Sequence, residues 1–179
     1  QPPHGGAGFD YPAWLRAVFD VRAVKVVTDW IGRGSVGVIV AMKDGETGRE
    51  PTADEVAEML AYLGAPGSSS GVRPVTANVV VVAAEPEEVA ISVRLRPDSV
   101  AIRAGVTEAF ARYIATLGDA DDDQNDSPIG AVIEPSRISE AISAASGEYA
   151  HDLTVPAARY TLDTKQYPVV GAITFLAPL

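Results

Sequence analysis

Val21-Arg-Ala-Val-Lys-Val-Val-Thr-Asp-Trp-Ile-Gly-Arg-Gly-Ser-Val-Gly-Val-Ile-Val-Ala-Met42 holds two apolar runs around a turn with two glycines. Val24, Val26 and Trp30 interleave with polar residues, as in a half-buried strand, and the turn leads into Val36, Val38 and Val40. Gly32 and Gly34 tolerate positive φ, so Ile31 to Ser35 reads as the tip of a hairpin. Just upstream, Trp14, Leu15, Val18 and Phe19 fall on one face of a short helix over Tyr11 to Phe19. A similar order closes the chain, with a helix over Arg137 to Ala145 and strands over Tyr149 to Val155 and Val169 to Leu176. The two halves therefore look like rearranged copies of one small αβ unit.

Between these ends, Thr52-Ala-Asp-Glu55 has the form of a capping box. The helix it opens places Val56, Met59, Leu60 and Leu63 on one face and stops at Gly64 and Pro66. A Gly/Ser-rich loop over 64–74 leads to Val75 to Ala83, whose lack of alternation predicts a strand central in its sheet. Val89, Ile91, Val93 and Leu95 alternate cleanly. Asp98 reads as the N-cap of a helix carrying Ile102, Val106, Phe110, Tyr113, Ile114 and Leu117. After an acidic loop from Gly118 to Pro128, a short apolar run at Ala131 to Ile133 precedes Ser136, a second N-cap. The final two strands read as a hairpin flanked by Pro156 and Pro168, which limit edge pairing.

This order predicts an α+β protein built of two small ferredoxin-like (split βαβ) αβ sandwich units in tandem. Residues 1–8 read as a linker or tail, 9–86 as an αββαβ domain and 87–179 as a βα(β)αββ domain. The boundary falls near Glu85 to Glu88, where a proline and three acids separate two apolar strands.

At 179 residues with 47% apolar side chains, the chain is able to bury a core. No apolar stretch is long enough to cross a bilayer as a helix. The start, Gln1-Pro-Pro-His-Gly-Gly, has no basic n-region and apolar h-region, so it does not read as a signal peptide, and the missing initiator Met points to a piece of a longer chain. A net charge of −10 argues against a nucleic-acid partner. With no cysteine, disulfides and thiolate metal sites are excluded.

Side chains with reactive potential form no catalytic constellation. Gly32-Arg-Gly-Ser-Val-Gly37 matches the letters of a dinucleotide fingerprint, but it leads into a strand where that chemistry requires a helix N-terminus. Asp119-Ala-Asp-Asp-Asp-Gln-Asn-Asp resembles a calcium loop, yet Gln124 and Gly130 stand where an EF-hand needs Gly and Glu. A disordered, solvated acidic loop is the expectation there. His4 and His151 are too few and too far apart for a zinc site. His151 with Ser143, Ser146 or Asp152 lacks any oxyanion signature. Arg73 and Asn78 are the pair an acylphosphatase-like reading would use. Trp14, Trp30 and Tyr149 read as core or interface anchors, and His151 as a hydrogen-bonded interface histidine.

Taken in order, several stretches resemble one family. They are Gly5-Gly6 with Tyr11 to Val18 and Val21-Arg-Ala-Val-Lys-Val, then Gly34-Ser-Val-Gly-Val-Ile-Val. Pro51-Thr-Ala-Asp-Glu-Val and Arg73-Pro-Val-Thr-Ala-Asn-Val-Val-Val follow. The last are Ser136-Arg-Ile-Ser-Glu-Ala-Ile-Ser-Ala-Ala-Ser-Gly-Glu-Tyr, Leu153-Thr-Val-Pro-Ala-Ala and Val170-Gly-Ala-Ile-Thr-Phe. Together they resemble the C-terminal part of the baseplate J proteins of Mu-like contractile phage tails. The resemblance implies a non-enzymatic wedge subunit of the virion tail baseplate, assembled in the host bacterial cytoplasm. It implies contacts with other wedge and hub proteins, copies of the chain in a ring, no cofactor, and neither nucleic acid nor membrane as partner. The N-terminal region of such proteins is missing, and the loops Gly64 to Val72 and Gly118 to Pro128 are longer than usual. The competing expectation is a small-molecule-binding regulatory module with paired ferredoxin-like domains, an analogy of fold alone.

Overall fold

A computed structural model describes residues 8–45, 48–65, 67, 69–74 and 76–179. The linker expected over residues 1–8 therefore falls outside the described residues up to residue 7. The chain divides into two compact units, one ending at Glu85 and the other running from Pro86 to Leu179.

The first unit contains α1 (Asp10–Val18), β1 (Val21–Thr28), β2 (Ser35–Met42), α2 (Ala53–Leu63) and β3 (Asn78–Ala83). Its sheet runs in the order β1-β2-β3, antiparallel and then parallel. Val24 pairs with Val40 across the hairpin, and Val38 with Val81 across the crossover. Tyr11 and Leu15 from α1 and Met59 and Leu63 from α2 pack on Val38, Val40, Val79 and Val81. On the other face of β2, Ile39 and Ala41 are also buried. That two-sided burial explains why β2 reads as a continuous apolar run. The expectation that the 75–83 run is the central strand is corrected. β2 is central, and β3 is bonded on one side only among the described residues. Because α2 returns the chain beside β2, the βαβ strands are direct neighbours and no strand splits them.

The capping box is present: the Thr52 hydroxyl accepts from the Glu55 N–H at 3.2 Å, and Glu55 accepts from the Thr52 N–H at 2.8 Å. Arg49 adds two bonds to the same carboxylate, at 2.6 and 2.7 Å. Chiefly through Arg49, and then the Thr52 N–H, the Glu55 carboxyl is pulled down to about 2. A depressed carboxylate stabilises the fold above its unfolded pKa, and that contribution fades as pH falls. Acid titration between about pH 4.5 and 2 is expected to destabilise this unit through Glu55. Glu55→Gln keeps an amide acceptor for Thr52 but should flatten the profile in that window. An identical acid limb in the variant, followed by circular dichroism, would exclude this source.

The second unit contains β4 (Glu85–Arg96), α3 (Val100–Thr116), β5 (Val132–Ile133), α4 (Pro135–Ser143), β6 (Ala150–Val155), β7 (Tyr160–Thr161) and β8 (Gln166–Phe175). Its main sheet has the order β6-β4-β8, and β5 pairs with β7. Val89, Ile91, Val93 and Leu95 point one way from β4 into a core with Ile102, Val106, Phe110 and Ile114 of α3. The spacing of four along α3 keeps those side chains on one stripe. Ile138 and Ile142 of α4 and Leu162 complete the core.

Several expectations change in this unit. The final hairpin is not formed: β6 and β8 lie on opposite sides of β4, and the segment between them contributes β7 to β5. Glu85 to Glu88, where the boundary was expected, are the first residues of β4, and the chain divides into its two units at Glu85 and Pro86. Ser99, not Asp98, caps α3, accepting from the Ile102 N–H at 3.3 Å. Asp98 is held by both nitrogens of a fork from Arg103 at 2.6 Å. Glu134 is the N-cap residue of α4, with Pro135 in the first helical position, where its missing N–H costs nothing. Ser136 is therefore inside the helix.

The α+β class and the tandem arrangement hold. Among the described residues the main sheets run β1-β2-β3 and β6-β4-β8, which does not establish the ferredoxin-like strand order, and the two halves share element types without sharing a topology.

Candidate interaction surfaces

Of the four expected interface anchors, two belong to each unit. Trp14 lies half-buried on α1, edge-on to Tyr11 with ring centroids 5.3 Å apart. Trp30 is half-buried at the end of β1 and lies across Gly37, where an added Cβ would sit 2.6 Å from its Cγ and 2.9 Å from its Cβ. Gly37→Ala must therefore displace the root of the indole, at a cost of about 1–3 kcal/mol. In a Trp14→Phe background its tryptophan emission should shift to the red. An unchanged spectrum and melting temperature would mean that the indole does not rest on Gly37.

In the second unit, His151 is nearly buried and its Nδ1 lies 3.0 Å from Glu148 Oε1. Its carboxylate neighbour is thus Glu148 and not Asp152, which is the next residue of β6 and points to the opposite face. Tyr149 is 82% exposed. Its N–H donates to the Arg96 carbonyl at 3.2 Å, which fixes it beside the end of β4. Val100, at the start of α3 just beyond that end, is 86% exposed.

The motifs with enzymatic associations are all used structurally. Gly32 to Ser35 form the β1–β2 turn, closed by Asp29, whose Oδ1 accepts from the Gly34 N–H at 2.9 Å. Arg73 is buried and donates to the carbonyls of Gly64, Ala65 and Pro74. Gly64 is the C-cap of α2, so the guanidinium satisfies the negative end of that helix. Asn78 is paired in β3 with Ser35. A phosphate cradle from Arg73 and Asn78 is not built.

The acidic loop is also not the disordered segment expected. Asp122 Oδ1 accepts from the N–H groups of Gln124 and Asn125, and Oδ2 from the Gly118 N–H and the Asn125 amide. Asn125 Oδ1 accepts from the Val132 N–H at 2.7 Å, tying the loop to β5. Burial opposes ionisation of Asp122, but these N–H donors outweigh it and hold its carboxyl below the usual range. Gly118 permits the turn with φ +71, and a Cβ there would strike Pro128 at 2.3 Å. Among the described residues, no group of three metal-ligating side chains converges.

This loop forms one wall of a cavity of about 460 Å³, with α3 and α4 as the others. Ala109, Leu117, Val132, Ala141 and Ala144 supply an apolar floor. Tyr113 also lines it; burial, only partly offset by the Glu134 backbone, pushes its hydroxyl up to about 12. Sequence reading missed this cavity. Its one signal was Asn125 among the aspartates, an Asx residue placed to bond backbone a few positions away.

Residues 3–83 match the family model described as baseplate J-like central domain, and residues 89–176 match that of the baseplate J-like protein C-terminal domain. A protein named JayE from Escherichia coli (strain K12) is 31% identical over 180 residues, covering 97% of this chain and 60% of that protein. The Mu-like prophage FluMu protein gp47 of Haemophilus influenzae is 28% identical over 180 residues, covering 98% of this chain and 47% of that protein. The chain thus spans roughly half the length of the relatives it matches.

Proposed function

The chain belongs to the baseplate J-like family, and from that premise we propose that it is the part of a baseplate wedge subunit that holds neighbouring tail proteins in place. The family is a structural one of phage tails, with a Mu-like prophage protein among the relatives. In this reading the chain works in the virion, in several copies around the tail hub, and carries out no reaction of its own. Among the described residues no helix is long and apolar enough to cross a membrane.

The observation that carries the proposal is the pair Tyr149 and Val100, more than four-fifths exposed at the same end of β4. Large apolar side chains left in the open at one end of a strand are typical of a surface awaiting a protein partner. Tyr149 is the strongest of the expected anchors, whereas Trp14, Trp30 and His151 spend much of their surface on intramolecular contacts.

The test is co-expression with the products of the adjacent reading frames, followed by measurement of solution mass. A stable complex with a neighbouring tail protein is expected, and Tyr149→Ala with Val100→Asp should dissolve it without changing the melting temperature. A chain that captures none of those neighbours, or a complex indifferent to both substitutions, would count against this surface.

A further inference from the structure

The cavity between α3, α4 and the 118–134 loop has a use that the Tyr149 surface does not explain. Its floor is apolar, but five carboxylates line it against two guanidinium groups. Arg137 is turned to Glu140 at 2.7 Å, and both oxygens of Asp122 accept N–H groups. Asp121 and Glu134, which also line the cavity, make no ion pair among the described residues. An occupant must bring positive charge and apolar surface together. Phosphates are repelled by such a lining, and a second copy would bring a further net charge of −10.

We propose that this cavity is a docking site for a basic segment of a partner protein. One Lys or Arg lays its methylene stem along Ala109, Ala141 and Ala144 and brings its head group to Asp121 and Glu134. Aliphatic neighbours in that segment rest against Leu117 and Val132. Long basic side chains suit this division, because their stems are apolar while their heads stay charged. Arg112 lines the same cavity and repels a cation placed beside it.

The experiment is a titration of the isotopically labelled 179-residue chain with the peptide acetyl-Leu-Arg-Leu-amide, followed by amide chemical shifts. Acetyl-Leu-Glu-Leu-amide and acetylarginine amide serve as controls. The arginine peptide is expected to bind about tenfold more tightly than either control at low ionic strength, and to weaken with salt. Shifts should centre on Val132, Ala141 and Ala144. Asp121→Asn with Glu134→Gln should lower the affinity about fivefold at an unchanged melting temperature. Absence of binding, equal binding of either control, shifts centred elsewhere, or indifference to the double variant would each overturn the proposal. None of these outcomes bears on the Tyr149 surface, so the assembly role is tested separately.

Discussion

Arg73→Ala is expected to cost the first unit about 3 kcal/mol, because it removes charge-assisted bonds and leaves their carbonyl acceptors behind. Arg73 is only 6% exposed and reaches Gly64 and Ala65 at the end of α2, together with Pro74. Those bonds tie Arg73 and Pro74 back to the end of α2. The same guanidinium lies near Tyr11, whose hydroxyl is raised by burial while Arg73 pulls it down. Arg73→Lys should recover little, since a single ammonium lacks the planar fork that meets several acceptors at once.

The effect is best read by hydrogen exchange, because unfolding of a chain with two units need not be two-state. In the alanine variant the amides of Val38 to Val40, in the middle of β2, should exchange about a hundredfold faster where they open only with the whole unit. Protection within about threefold of the parent would mean that water replaces the fork at no cost.

The second large effect is in the other core. Phe110→Ala should destabilise the second unit by about 4 kcal/mol, the sum of lost transfer energy and an unfilled cavity. Phe110 is fully buried on α3, between the β4 side chains and α4, and it stacks on Tyr113 with centroids 6.4 Å apart. The void would open beside a wall of the proposed docking cavity, since Tyr113 lines it. Phe110→Leu retains most of the volume and should cost less than about 2 kcal/mol. Amide protection of Ile91 and Val93 on β4 measures both variants. Equal losses for leucine and alanine would point to a specific aromatic contribution in place of packing volume. No loss in either would show that the core at Phe110 collapses freely.

Local readings survived wherever a side chain acts on its own segment. The spacing of Ile102, Val106, Phe110 and Ile114 defines one helix face regardless of what covers it. Thr52 and Glu55 bond each other's backbone within one turn, so their capping box needs no distant partner. The β1–β2 hairpin follows from Gly32 and Gly34 between two apolar runs. Asp98 and Ser99 show the limit of such reasoning. Either is able to cap α3, and Arg103 decides the matter by drawing Asp98 away.

The docking surfaces were less legible. Tyr149 was readable as a core or interface anchor, with its exposure decided only in the fold, and its companion Val100 looks in sequence like any helical residue. The cavity depends on Asp122 and Asn125 folding the acidic loop onto Gly118 and Val132, and a run of aspartates by composition alone signals solvation.

What the sequence determined by itself is the set of elements apart from the short β7, the face the longer ones bury, and, through resemblance spanning both halves, the family. What only the tertiary structure decided is who neighbours whom: β2 between β1 and β3, β4 between β6 and β8, and β5 beside β7. The reason is that apolar alternation specifies a face, whereas every strand edge offers the same N–H and C=O groups to any neighbour. Which edges meet is settled by how α2, α3 and α4 return the chain across the sheets, and that is a property of the packed molecule.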